Sequence, residues 1–355
     1  MSDGKDDEPP VPEVCRICAS RQPRPIILPP ETAPLHARAV ITMSKKWANG
    51  TRLRYHFLED PAWIWTDPQK AVVNHAFEIW KNLGIGLSFI ETADPTEAEI
   101  SIGFDQDDGS WSSVGTDCLG PRDRGRTTNF GWDLTTDWGK ATALHEIGHA
   151  IGMEHEAQNP DAGIQWNEDL VYKSFGGSPN YWNRNTIYYN ILMKLDPLAV
   201  SGSPWDPLSI MEYPFPPALI RGPAPYDRDG IPQNEHLSEP DKAWALRFYP
   251  PLAPAAPIGV LDLQPLPRDI GAQRDFVFQP DATRDYTIRT VGDADGKVVL
   301  FGDRDGEPRF IAGQDDSGKP DNVAITARLV KGERYTIRAR THFAKGAAGH
   351  GLVIV

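Results

Sequence analysis

The spacing of hydrophobic positions divides the chain into two regions of different character. Strands are predicted over 53–58, 87–90 and 100–104, where apolar and polar residues alternate. Between the first two strands, apolar positions over 72–83 recur at the spacing of a helix. From residue 258 onward, short alternating runs are separated by Gly- and Asp-rich turns, which is typical of a β-sandwich. The pattern predicts an α+β domain followed by a small all-β sandwich domain.

Residues that favour helix ends refine this prediction. Asp67, followed by proline, predicts the start of the first helix with Asp67 as its N-cap, and Gly84 predicts its end. A fourth strand is predicted over 127–132, and a second long helix over about 138–151. Ser238 opens a last helix, because serine and a following proline are common at helix starts.

An eleven-residue segment beginning at His145 has the pattern HExxHxxGxxH. His145 and His149 are four residues apart, so on a helix they lie on one face and can bind the same zinc ion. Gly152 allows a sharp turn, after which His155 returns as a third ligand. Glu146 is placed to take a proton from a metal-activated water. The segment therefore predicts a zinc site with one open coordination position.

This pattern resembles that of the metzincin metallopeptidases, and Ser-Ile-Met-Glu-Tyr at 209–213 resembles the Met-turn of their astacin branch. The resemblance covers about residues 45–250. It implies that Met211 packs beneath the three histidines. It also implies that Tyr213 is a fifth, displaceable zinc ligand that moves toward the substrate oxyanion. Glu212 stands where astacins usually have histidine, a position outside the ligand set.

The resemblance implies a metzincin-type catalytic domain, with a twisted sheet and a long zinc helix. The expected activity is that of a zinc-dependent endopeptidase that acts on proteins or peptides, with Glu146 as general base. Segment 110–115 is a candidate wall of the substrate cleft, with a surface loop as the equal alternative. The rival hypotheses are a latent enzyme and an inactive, metallopeptidase-like binding protein that acts through its β-sandwich.

Composition divides the chain into four parts. Residues 1–35 are rich in proline and charge and predict an extended amino-terminal arm, a candidate latency segment. The catalytic domain is assigned to 36–250 and a linker to 251–258. The β-sandwich at 259–355 resembles the pre-peptidase carboxy-terminal domains of exported bacterial proteases.

Two of the three cysteines form a CxxC pair in the arm, at Cys15 and Cys18, while Cys118 lies far away. A structural zinc site would need a second pair, which the sequence lacks. Either thiolate of the pair could occupy the open zinc position, as in several metzincin zymogens, although astacin zymogens generally use an aspartate. A disulfide within the pair or with Cys118 is the second interpretation, and the absence of any role is the third.

Charge and hydropathy restrict the partners. A net charge of −13 argues against nucleic acid, and no apolar run reaches the length of a membrane span. The amino terminus lacks the apolar segment of a secretory signal. Secretion is nevertheless suspected, since enzymes of this type are usually exported, and the export route and oligomeric state stay open. The Asp-rich turns 293–296 and 303–306 favour either a calcium site or plain hairpin turns.

Overall fold

The computed structural model describes residues 11–19, 45–61, 63, 66–120, 125–195, 204–269, 272–292, 294–304, 307–315, 322–344 and 350–355. The predicted arm, 1–35, is therefore described only at 11–19, which form neither helix nor strand.

A five-stranded sheet and two helices form the first part of the fold. The strands are β1 (Arg52–Phe57), β2 (Ser88–Glu91), β3 (Ile100–Gly103), β4 (Trp111–Ser112) and β5 (Thr128–Asn129). Their order is β2-β1-β3-β5-β4, in which only the edge strand β4 is antiparallel to its neighbour. Helices α1 (Asp67–Asn82) and α2 (Asp137–Ala150) share one apolar core with this sheet, and Trp80 is fully buried in it.

The structure corrects two of the predicted boundaries. Asp67 is the first residue of α1 rather than its N-cap. The cap position belongs to Thr66, whose side chain makes no capping hydrogen bond. The predicted strand 127–132 is reduced to the two residues of β5, because the following chain turns away toward α2. Helix α2 matches its predicted range within one residue and is capped by the Thr136 side chain, which accepts from the Gly139 amide.

Short elements follow α2. They are β6 (Gln165–Trp166), α3 (Glu168–Gly176), α4 (Arg184–Ile187), a π-helical turn (Tyr188–Leu192), β7 (Ile220–Gly222), α5 (Tyr226–Asp229) and α6 (Glu239–Phe248). A second apolar cluster includes Phe175, Ile191 and Phe215 from this region, and Val14 and Ile17 of the arm pack into it. Part of the arm is thus buried against the region that follows α2.

The remaining strands form the predicted β-sandwich. They are β8 (Ala256–Pro257), β9 (Gln264–Pro265), β10 (Gln273–Phe278), β11 (Arg284–Val291), β12 (Ala294–Arg304), β13 (Glu307–Asp315), β14 (Ala324–Leu329), β15 (Tyr335–Ala344) and β16 (Gly351–Ile354). One sheet has the order β13-β12-β15-β10-β8 and the other β14-β11-β16-β9. Strand β8 lies inside the predicted linker 251–258, where it pairs with β10. The all-β prediction for this region is confirmed.

The sandwich contacts the segment that precedes β1. The Arg338 guanidinium, which is paired with Asp275, also donates to the backbone carbonyl of Asn49. Beside it, Ala48 packs against Val299 and Phe301. The neighbouring Trp47 indole donates to the carbonyl of Ala150 at the end of α2, over 2.8 Å. The sandwich therefore rests on a segment that also supports the helix carrying the histidines.

Candidate metal centre and cleft

Helix α2 and the turn after it bring three histidines together. The His145 and His149 rings lie one helical turn apart, with their centroids separated by 4.7 Å. After the helix ends, Gly152 has a φ of +99°, a left-handed conformation that favours glycine. The chain then reverses, and the Nε2 atoms of His149 and His155 are 3.0 Å apart. The sharp turn predicted at Gly152 is therefore present.

Backbone carbonyls orient two of these rings. His145 Nδ1 lies 2.7 Å from the carbonyl oxygen of Ile210, and His149 Nδ1 lies 2.7 Å from that of Met153. Because a carbonyl can only accept, each Nδ1 carries the proton and each Nε2 presents its lone pair to the centre. Burial lowers the pKa of His145 to about 3 and that of His149 to about 4. Both rings are therefore neutral, the form that binds metals.

The segment 209–213 forms a tight turn beneath α2. The Asp241 carboxylate, on α6, accepts from the Ser209 hydroxyl at 2.6 Å and from the Ile210 amide at 2.8 Å. The Met211 sulfur lies 2.5 Å from the point that a Cβ on Gly148 would occupy. Glycine at that position of α2 is thus what allows the methionine to pack directly against the helix backbone.

Cys18 of the arm lies at the centre of the three histidines. Its sulfur is 3.1 Å from His145 Nε2 and 3.6 Å from His155 Nε2. The Tyr213 hydroxyl lies 3.2 Å from this sulfur, donates to the Cys18 carbonyl at 2.9 Å and contacts His155 Nε2. The ligand atoms of Cys18, His145, His149 and His155 lie within 4.8 Å of one another, and all four residues are buried. In contrast, Cys15 is exposed.

The donor set and its surroundings fit a zinc ion. Imidazole nitrogens and a thiolate are ligands that zinc prefers. Burial, reinforced by the charge of Glu146, raises the pKa of the Cys18 thiol well above its usual range. A bound cation would favour the thiolate in this setting. No other group of three or more His, Cys, Asp or Glu side chains in the described ranges has this arrangement.

Glu146 is a fully buried carboxyl of the centre, and its side chain interacts with the Cys18 thiol of the arm. Burial raises its pKa to about 8. Strongly shifted pKa values of buried carboxyls are common at catalytic sites, which makes Glu146 a candidate for the proton-transferring group of the centre.

The arm is held in the cleft at two points. At one, the Ala19 amide donates to the Ser110 carbonyl over 3.2 Å, directly before the edge strand β4. At the other, the Asn180 side chain accepts from the Ile17 amide at 3.1 Å and donates to the Cys15 carbonyl at 2.9 Å. The candidate wall at 110–115 therefore contains an edge strand that meets an extended chain. Asn180, in contrast, carried no signal in the sequence beyond that of a turn residue.

Other sequence predictions concern the rest of the chain. Cys15, Cys18 and Cys118 form no disulfide with one another, so none of the proposed pairings is present. Asp293 and Asp305 of the two candidate calcium turns lie outside the described residues, and calcium gains no support. Among the described helices, none is long and apolar enough to cross a membrane.

Comparison with known proteins gives consistent results. The astacin peptidase family matches residues 39–172. The solved structure of myroilysin is 30% identical in sequence, with a TM-score of 0.52, and the match covers 59% of this chain and 97% of myroilysin. Zinc metalloproteinase nas-36 of Haemonchus contortus is 30% identical over 173 residues, 47% of this chain and 24% of that protein. Serralysin of Photorhabdus luminescens is 26% identical over 160 residues, 39% of this chain and 31% of that protein.

The extent of these matches decides what they establish. The chain spans less than a third of the length of the two curated relatives, so their activities are not transferred to it here. The resemblance of the β-sandwich to pre-peptidase domains stays a prediction. Myroilysin, however, is matched over nearly its whole length, and the astacin match covers the zinc motif. This chain belongs to the astacin family of peptidases.

Proposed function

We propose that this protein is a zinc-dependent endopeptidase that its own amino-terminal arm keeps latent. The observation that carries the proposal is the convergence of Cys18 with His145, His149 and His155 in one buried cluster. The three histidines are intact and preoriented, and the glutamate of the motif is buried among them. A non-catalytic binding protein would have no need to retain this complete set.

In the proposed reaction, the three histidines would hold a zinc ion. A zinc ion bound there would lower the pKa of water toward about 7 and polarise the scissile carbonyl. Glu146 takes the proton of the attacking water and later gives it to the departing amine. The Tyr213 hydroxyl, which donates to the Cys18 carbonyl in the latent form, donates to the oxyanion of the substrate once the arm has left.

Latency follows from the position of residue 18. Its sulfur and its carbonyl contact the groups that water and the substrate carbonyl need, namely the histidine Nε2 atoms and the Tyr213 hydroxyl. Of the two cysteines predicted from the CxxC pair, Cys18 is assigned this role, because Cys15 is exposed. Secretion and peptide substrates are proposed from the family alone.

Cys18→Ala in the full chain tests this proposal, with Cys15→Ala as the matched control. We expect Cys18→Ala to hydrolyse casein at least about 100-fold faster than the parent chain. Losing about 2.7 kcal/mol of arm binding suffices for that factor. Cys15→Ala should stay latent. The measurement combines casein hydrolysis with the zinc content of each sample.

The alternatives give different results in the same assay. Equal activity in the parent and both variants would make the arm incidental. One zinc per chain without hydrolysis in any variant would overturn the peptidase proposal and favour a binding protein that acts through the β-sandwich.

A further inference from the structure

We propose that Asn180 is a substrate-positioning residue that binds the backbone of an extended polypeptide beside the catalytic centre. The inference rests on the proposed function, because it treats the arm as occupying the path of the substrate. Its basis is the pair of hydrogen bonds between the Asn180 side chain and the arm, which join Oδ1 to the Ile17 amide and Nδ2 to the Cys15 carbonyl.

These two bonds have the pattern of strand pairing. In an extended chain, the carbonyl of one residue and the amide of the residue two positions later point to the same side. The Asn180 carboxamide offers an acceptor and a donor to this pair of groups on either side of Arg16. The carboxamide therefore takes the place of the hydrogen-bonding groups of one residue in a neighbouring strand. Both of its bonds go to backbone atoms of the bound segment.

A second hydrogen bond to the bound chain comes from the residue before the edge strand of the sheet. The Ala19 amide donates to the Ser110 carbonyl, and β4 begins at the next residue. Between the two attachment points lies Cys18, whose carbonyl accepts from the Tyr213 hydroxyl. Ile17, which Asn180 binds, is therefore adjacent to Cys18, the residue that faces the metal centre. Any extended substrate that reaches this centre along the same path presents an amide and a carbonyl at the same place.

The loop that carries Asn180 is fixed by its own backbone. It connects α3 to α4, and the Tyr181 amide donates to the Gly177 carbonyl over 2.8 Å. The Trp182 amide donates to the Phe175 carbonyl over 2.9 Å. Phe175 is fully buried in the second apolar cluster. Neither backbone bond involves the arm, although Val14 and Ile17 of the arm belong to the same apolar cluster. The two bonds therefore keep the carboxamide near its place when the arm leaves, which lowers the cost of ordering the loop on binding.

The ligand class is therefore an unfolded polypeptide segment at least three residues long on this side of the catalytic centre. Recognition through the backbone selects for extended conformation and length, and not for the side chains at these positions.

The test measures peptide binding in a full-length chain that carries Cys18→Ala and Glu146→Gln, so that the peptide is neither blocked nor cleaved. Asn180→Ala is added to this chain, and Asn185→Ala, an exposed asparagine on α4, is the matched control. The probe is a fluorescent polypeptide with a series of analogues, each N-methylated at one backbone amide. N-methylation removes a single N–H donor and leaves every side chain in place.

We expect Asn180→Ala to raise the Kd of the parent peptide roughly tenfold, since two backbone hydrogen bonds are lost. Asn185→Ala should not change it. N-methylation at one position should weaken binding to the Asn180 chain and have no further effect on the Asn180→Ala chain. If Asn180 had only a structural role, replacing it would not abolish the effect of N-methylation at one particular amide of the peptide.

Three results would overturn the inference: an unchanged Kd in Asn180→Ala, an equal loss in Asn185→Ala, or N-methylation effects that persist at every position in Asn180→Ala. Binding is independent of turnover in this design. The absence of hydrolysis by the Cys18→Ala chain would therefore overturn the proposed function while the binding measurements still decide the role of Asn180.

Discussion

The arm and the β-sandwich both contact the metallopeptidase region, but they do so in different ways. The arm is attached by hydrogen bonds, by the Cys18 sulfur and by the packing of Val14 and Ile17 in the second apolar cluster. The sandwich is attached through the bond from Arg338 to the Asn49 carbonyl and through an apolar cluster around Ala48. In the proposed function the arm covers the groups of the reaction and has to be released, whereas the sandwich supports the segment behind them and stays in place.

The largest effect is expected on the cleft side, from Glu146→Gln in the Cys18→Ala chain. Loss of the proton acceptor should reduce the rate of casein hydrolysis by about 1,000-fold, within the usual range for a general base. Zinc content should stay the same, because the histidines are untouched. The free energy of unfolding should not fall, because the Cys18 thiol, which interacts with this carboxyl in the parent chain, is already absent. Rates and unfolding curves of the two chains check this.

Two results would contradict that prediction. Retained hydrolysis would exclude Glu146 as the base. A loss of zinc together with a loss of stability would mean that the cleft side, like the sandwich side, has a structural function, and the distinction between the two regions would fail.

The second effect concerns the sandwich side, at Arg338. Arg338→Met leaves the Asp275 carboxylate buried without its partner and removes the bond to the Asn49 carbonyl. Breaking a buried pair in this way costs about 3–5 kcal/mol, which denaturant unfolding can measure. Latency should be unchanged, since no arm contact is involved. Arg338→Met with Asp275→Asn should recover part of the loss, because the unpaired charge is gone.

An increase in basal hydrolysis in Arg338→Met would show instead that the sandwich restrains the cleft. A normal unfolding free energy would show that neither this ion pair nor the Arg338 bond to the Asn49 carbonyl contributes to stability.

The sequence predicted α2 and the convergence of the three histidines well, because both depend on local spacing. Two histidines four residues apart, followed by a glycine and a third histidine, encode both the helix and the turn that ends it. The residues that meet in the cleft could not be predicted from local spacing in this way. Cys15 and Cys18 are equivalent in the sequence, and only the path of the arm distinguishes the buried one from the exposed one. Asn180 follows a Gly-Gly-Ser-Pro run that indicates only a turn.

The other features that the sequence did not predict depend on contacts between distant segments. Asp241 was predicted only as part of a helix start, where it does complete a capping box with Ser238. Its carboxylate also holds the turn at 209–213, a function that depends on how α6 packs. Thr66 and Asp67 are both acceptable helix caps, and Thr66 takes the cap position. Local propensity does not contain this information.

The smallest effect is expected at Trp47, which lies where the two regions meet. Its indole donates to the Ala150 carbonyl at the end of α2, while the next residue, Ala48, packs against the sandwich. Trp47→Phe keeps an aromatic ring and removes this one hydrogen bond, which should cost about 1 kcal/mol of unfolding free energy. Because Gly152 and His155 follow the end of α2 directly, we also expect a small loss of zinc affinity, measured by competition with a chelator. If stability falls and zinc affinity does not, the sandwich supports the fold alone; if both fall, its support reaches the third histidine.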